Sequence, residues 1–124
     1  YLHRANDEVF IMTAVETLEA VNNIDKILQV EGLDGLFIGP MDLASSMGFF
    51  GDASQPEVQE AIRTIEEKVF ASDKVLATTT GTWEQAEKLF ERGYSMLMLM
   101  SDSITLAKIA TQKVAQFKEH YPNG

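Results

Sequence analysis

Glu16 and Asp42 are the residues of this chain whose positions suggest chemistry. Glu16 stands at the end of the apolar run VFIMTAV (residues 9–15), and Asp42 follows a second apolar run that stops at Gly39-Pro40-Met41. Neither acid has a lysine or arginine beside it in the sequence. If both runs are strands of one parallel sheet, the two carboxylates leave it at the same end and repel unless positive charge lies between them. A hard divalent cation accepts such oxygen ligands and fills its other positions with water. The Gly-Pro turn has a use of its own. With little side chain in the way, the backbone N–H groups of Met41 and Asp42 can approach a ligand, and a helix start there favours an anion. A metal beside an amide nest suits a 2-oxo acid, which brings a keto oxygen and a carboxylate. A plainer reading stands next to this one: aspartate is favoured at helix starts, where its carboxylate accepts orphan backbone N–H groups. Taken alone, Asp42 is better explained as such a cap.

The elements that must position these acids follow from hydrophobic periodicity. Short apolar runs at residues 9–15 (VFIMTAV), 35–39 (GLFIG), 74–80 (KVLATTT) and 94–100 (YSMLMLM) read as buried strands, the first covered on both faces. Between them the apolar spacing becomes helical. One helix runs from Leu18 through Val21, Ile24, Ile27 and Leu28. A second follows the capping-box pattern Ser54-x-x-Glu57, with Pro56 in its first turn and a stripe of Val58, Ile62, Ile65 and Val69. A third opens at Thr82-x-x-Gln85 and closes at Gly93, a left-handed cap. The last covers residues 102–120, with Ile104, Ile109, Val114 and Phe117 among its apolar positions. The order β-α-β-α-β-α-β-α means a parallel α/β sheet with right-handed crossovers. Two architectures accept it: an open doubly wound sheet of flavodoxin or receiver type, or half of a (β/α)8 barrel, which takes about 250 residues. In either, sites lie at the carboxyl ends of the strands. Those exits hold Glu16 and Thr17, then Gly39 to Asp42, then TTTGT, then Ser101 and Asp102.

The chain's 124 residues suit one domain, 1–124, and its 45% hydrophobic and 23% charged content is ordinary for a globular protein. A net charge of −9, with no concentration of Lys and Arg, argues against nucleic-acid binding. No run approaches the roughly 20 apolar residues that cross a bilayer. The polar start YLHRANDEVF is neither signal nor transit peptide, and its lack of an initial Met suggests a chain cut from something longer. The absence of cysteine excludes disulfides and thiolate metal sites, which fits a cytoplasmic protein. Met96, Met98 and Met100 alternate along one strand and so share a face, a pattern of core packing rather than of a soft-metal site.

The stretch VETLEAVNNIDKILQVEGLDGLFIGPMDLASSMG (residues 15–48) resembles the metal-binding half of the HpcH/HpaI aldolases, class II enzymes acting on 4-hydroxy-2-oxo acids. The resemblance runs through nearly the whole chain and is strongest there. It implies four consecutive βα units with parallel strands, equivalent to strands five to eight of a (β/α)8 TIM barrel. By that resemblance Glu16 and Asp42 are the protein ligands of a Mg²⁺-, Mn²⁺- or Co²⁺-type ion, and Gly39, Pro40, Met41 and Asp42 form the turn whose amides hold the substrate carboxylate. The implied reaction is reversible cleavage to pyruvate and an aldehyde through a metal-stabilised enolate, with no Schiff-base lysine. Lys74 sits at the wrong end of its strand and reads as a solvated charge, His3 and His120 read as surface residues, and Trp83 either lines the site or packs on the rim.

Several positions depart from the family pattern. Ala14 stands where the family usually has Gln two residues before the metal-binding Glu. Met100 replaces the glycine of a common Gly-Ser-Asp ending, and TTTGT also differs; these changes point to altered substrate choice rather than lost metal binding. The family's essential Arg and active-site His belong to the N-terminal half, outside this sequence. An isolated half should therefore turn over little, and its unpaired strand edges call for a second copy or the missing half. The alternatives are a catalytically incomplete fragment that only folds and oligomerises, or a receiver-like domain, which wants an Asp after its third strand and a Lys after its last.

Overall fold

The computed structural model describes residue 4 and residues 8–122. Strands β1 (Met12–Val15), β2 (Gly35–Ile38), β3 (Val75–Thr79) and β4 (Met96–Met98) form one sheet in the order β1-β2-β3-β4. All three pairings are parallel, and the register aligns Val15, Ile38, Thr78 and Leu97 across the sheet. The helices are α1 (Leu18–Asn22), α2 (Ile24–Leu28), α3 (Pro40–Ser46), α4 (Pro56–Phe70), α5 (Trp83–Arg92) and α6 (Asp102–His120). A doubly wound sheet reverses its strand order at a switch point. This sheet does not reverse, which is the arrangement of consecutive units in a barrel.

Burial agrees with that choice. Val15, Leu36, Ile38 and Leu76 point to the helix layer and are essentially inaccessible, packed with Val21, Ile24, Leu43, Val58, Ile62, Ile65 and Val69. Each such aliphatic side chain contributes about 1.5–3 kcal/mol by leaving water. The α4 stripe falls where the sequence places it. On the opposite face Ala14, Thr79, Met96 and Met98 are exposed, with no helix layer packed over them among the described residues.

That one-sided cover corrects several expectations. The first strand is shorter than its apolar run and is not buried on both faces: Val9, Phe10 and Ile11 are more than half exposed. Met96 and Met98 do share a face, but it is the uncovered one, so they are not core. Helix α6 has no buried residue, and Ile104, Ile109, Val114 and Phe117 are all exposed. Among the described residues, its apolar positions are not buried in the core of this chain.

Local chemistry explains two further differences. The helix from Leu18 is interrupted at Asn23, whose backbone leaves the helical region and whose side-chain amide donates to Glu19 O at 2.9 Å. Asparagine competes in this way with the helical ladder. Leu18 itself is 45% exposed. Ser54 does not cap α4. Pro56 occupies the first turn and Gln55 is the extended N-cap residue, as a residue before proline must be, with no side-chain cap bond. The Ser54 hydroxyl and N–H instead donate to Asp52 Oδ1 at 2.6 and 3.0 Å. The α5 signals hold: Thr82 Oγ1 accepts from Gln85 N–H at 3.2 Å, and Gly93 is left-handed at φ 114°. Among the described residues no helix is long and apolar enough to cross a membrane.

Candidate active site

The β1–β2 register sets Val15 beside Ile38, so the next residues, Glu16 and Gly39, are neighbours at the carboxyl end of the sheet. The contact is close. A Cβ on Gly39 would lie 2.7 Å from Glu16 Cγ and 2.9 Å from its Cδ, and nearer still to Oε1. The Glu16 carboxyl group therefore occupies the space that any side chain at position 39 would need. Gly39 has φ −97° and ψ 90°, a conformation open to other residues, so the need for glycine here is one of room and not of backbone freedom.

Gly39 is also the N-cap residue of α3, and Pro40 takes the first helical position. Proline fits there because its missing N–H would have had no partner. The first intrahelical bond runs from Leu43 N–H to Gly39 O at 2.9 Å. Among the described residues, Met41 and Asp42 N–H have no backbone acceptor. Asp42 falls in the first turn, exposed, and its carboxylate accepts no hydrogen bond from the protein's described residues. The cap reading of Asp42 therefore fails: Gly39 holds the cap position, and the aspartate is left over. Glu16 is likewise without a protein donor or cation among the described residues.

The structure thus brings Glu16 against Gly39 and sets Asp42 in the first turn beyond it. No group of three or more His, Cys, Asp or Glu able to hold a metal occurs among the described residues, so this chain offers two carboxylates. Hard carboxylate oxygens are of the kind that divalent cations such as Mg²⁺ or Mn²⁺ accept.

The other strand exits carry different equipment. A groove of about 510 Å³ lies between the exits of β3 and β4 and the start of α6, lined by Thr79, Thr80, Met98, Met100, Ser101 and Lys108 among others. Asp102 turns its Oδ1 to Ser103 N–H at 2.6 Å and serves its own helix. Trp83 is 62% exposed and donates to Glu87 Oε1 at 2.9 Å, so it stays on its helix. Lys74 lies at the far end of the sheet, paired to Asp73 at 3.2 Å with its side chain mostly covered rather than solvated. His120 is exposed near the end of α6, and His3 lies outside the described residues. Arg63 pairs with Glu60 on the surface.

One buried cluster escaped the reading of the sequence. Glu66, on the inward side of α4, accepts from Tyr94 Oη at 2.7 Å and pairs with Arg92. Burial, then the hydrogen bond to Glu66 and that carboxylate's charge, push the Tyr94 phenol well above its ordinary value, with Arg92 opposing. An acid directly after Ile65 in a buried stripe was the available signal. On the surface, Ser54 and Gln55 hold the Asp52 carboxyl below its usual range.

A family model described as HpcH/HpaI aldolase/citrate lyase matches residues 2–108. The chain belongs to the HpcH/HpaI family. It is 38% identical over 117 residues to a 4-hydroxy-2-oxo-heptane-1,7-dioate aldolase of Salmonella paratyphi B, covering 94% of this chain and 44% of that protein. It is similar to the HpcH/HpaI aldolase of Desulfitobacterium hafniense DCB-2, with TM-score 0.85 and 31% identity over 95% of this chain and 46% of that one. Macrophomate synthase, at 22% identity and TM-score 0.85, shares the fold over 96% of this chain and 42% of its own. The chain spans less than half the length of these HpcH/HpaI relatives. With the unbroken strand order, the fold is α/β: four consecutive βα units like the C-terminal half of a (β/α)8 barrel.

Proposed function

We propose that this chain is the metal- and carboxylate-holding half of a divalent-metal-dependent aldolase, a carbon–carbon lyase that cleaves 4-hydroxy-2-oxo acids to pyruvate and an aldehyde. One observation carries the reading: the Glu16 carboxyl group rests on the bare Cα of Gly39, at the head of the turn that presents an unpartnered Asp42. Glu16 and Asp42 hold the cation, of Mg²⁺, Mn²⁺ or Co²⁺ type, and the N–H groups of Met41 and Asp42 donate to the substrate carboxylate. When bound, the cation supplies Lewis-acid polarisation of the 2-oxo oxygen. The Gly39-Pro40 turn keeps side chains out of the way of the acid's carboxylate. Residues 1–124 form one partial-barrel domain, and the proton acceptor and the second positive group come from the other half.

Membership of a family of aldolases supports the reaction class, and the two bare carboxylates support the metal. The second reading, a module that only folds and assembles, is favoured by the uncovered sheet face and the unpacked α6. Titration with Mn²⁺, followed by electron paramagnetic resonance of the free ion, separates the two. The aldolase reading expects one Mn²⁺ per chain, lost in Glu16→Gln and Asp42→Asn. Equal uptake by wild type and both variants would leave only the assembly module.

A further inference from the structure

Among the described residues, the buried polar and charged side chains are Glu66 and Thr78. Glu66 is accounted for by Tyr94 and Arg92. Thr78 is not explained by packing. It lies on the helix-facing side of β3, 4% exposed, where a valine of the same shape would fill the space without burying a hydroxyl. Burying a hydroxyl is unfavourable unless it is hydrogen-bonded. The Thr78 hydroxyl spends its bond on a neighbouring strand: Oγ1 donates to Ile38 O at 3.0 Å. Ile38 ends β2, and its carbonyl shares a rigid peptide plane with Gly39 N–H. The carbonyl that receives the bond is thus the one that aims Gly39, the residue against which Glu16 is seated. A small cavity of about 150 Å³ lies beside this pair, lined by Ile38, Pro40, Glu66, Thr78 and Tyr94 among others.

We propose that Thr78 is a positioning residue for the Glu16–Asp42 pair. By fixing the Ile38–Gly39 peptide it sets both the seat of the Glu16 carboxyl group and the start of α3, which carries Asp42. The proposal rests on the metal-holding reading above, but part of its test does not involve a metal.

The test compares the wild-type chain with Thr78→Val, Thr78→Ala and Thr78→Ser by three measurements: thermal unfolding, amide hydrogen exchange at Gly39 and at Leu43, whose N–H donates to Gly39 O, and Mn²⁺ affinity. Loss of one hydrogen bond in the valine variant should speed exchange at those amides and weaken Mn²⁺ binding by about three- to tenfold, with the unfolding midpoint little changed. Serine should restore both to within about twofold. If valine does not fold, the alanine variant, which adds no bulk, must show the same losses. Unchanged exchange and unchanged Mn²⁺ affinity in a folded valine or alanine variant overturn the positioning role and leave the metal reading standing. Wild-type chain that binds no Mn²⁺ overturns the metal reading, and the exchange rates then decide whether Thr78 holds the peptide.

Discussion

At the scale of residues, the candidate site depends on an atom that is absent. Gly39→Ala keeps an allowed backbone conformation, so the chain should still fold, but the added methyl must expel the Glu16 carboxyl group. Mn²⁺ affinity measured by paramagnetic resonance should fall by about tenfold or more, the order of loss when a ligand's placement is disturbed, with the circular dichroism spectrum unchanged. The Glu66–Tyr94 pair makes a prediction of opposite character, on stability rather than function. The folded chain holds the Tyr94 proton more tightly than the unfolded chain, whose phenol titrates near 10.0. Below that pH the contribution is fully present. Above it the unfolded state releases a proton that the native state retains, so stability falls as pH rises. Urea unfolding from pH 8 to 11 should show that decline, and Tyr94→Phe should flatten it at a cost of about 0.5–1.5 kcal/mol near neutrality. Of these residues, Glu16 and Asp42 stood out in the sequence because each lies at the exit of an apolar run. Thr78 and Glu66 were not, because their partners lie 40 and 28 positions away.

At the scale of elements, local signals succeeded where the residues that satisfy them are close in sequence. Thr82 caps α5 through Gln85, and Thr82→Ala should lower unfolding free energy by about 1 kcal/mol. Ser54→Ala, at the look-alike motif before α4, should cost less than half of that in the same urea titration, since Ser54 bonds Asp52 and caps no helix. The two motifs read alike in sequence. Pro56 decides between them by forcing Gln55 to be extended and so moving the cap one residue along. Periodicity also overstated the helix after Leu18, where Asn23 diverts its amide to Glu19 O.

At the scale of the whole molecule, the dominant feature is the missing cover. The sheet presents Met96 and Met98 at 47% and 50% exposure, and α6 presents Ile104, Ile109, Val114 and Phe117. So many exposed large apolar side chains on a sheet face and a helix call for cover by another body. If the Proposed function holds, the chain alone should release little or no pyruvate from a 4-hydroxy-2-oxo acid with Mg²⁺ or Mn²⁺ supplied. Joining the upstream half of the barrel should bring turnover, because enolate chemistry also needs a proton acceptor and a second positive group. Asp42→Ala in that longer chain should remove it. Robust pyruvate release by the purified short chain would show that the catalytic groups reside elsewhere than proposed.

The sequence by itself determined the order of strands and helices, the parallel sheet, the α4 stripe, the α5 caps and the two strand exits that carry acids. Each of these depends on contacts within a turn or on the period of burial along one element, which a linear pattern records. Periodicity left a barrel segment and a doubly wound sheet both open; the family resemblance implied the barrel segment, and the strand order bears it out, since the choice turns on which strands are neighbours. Only the tertiary structure showed that Met96, Met98 and α6 face no layer, because an apolar pattern states a need for cover without saying what supplies it. It also decided that Asp42 is no cap and that Gly39 is glycine for the sake of Glu16. Those facts are distances between residues of different elements, and they exist only once the strands have been set side by side.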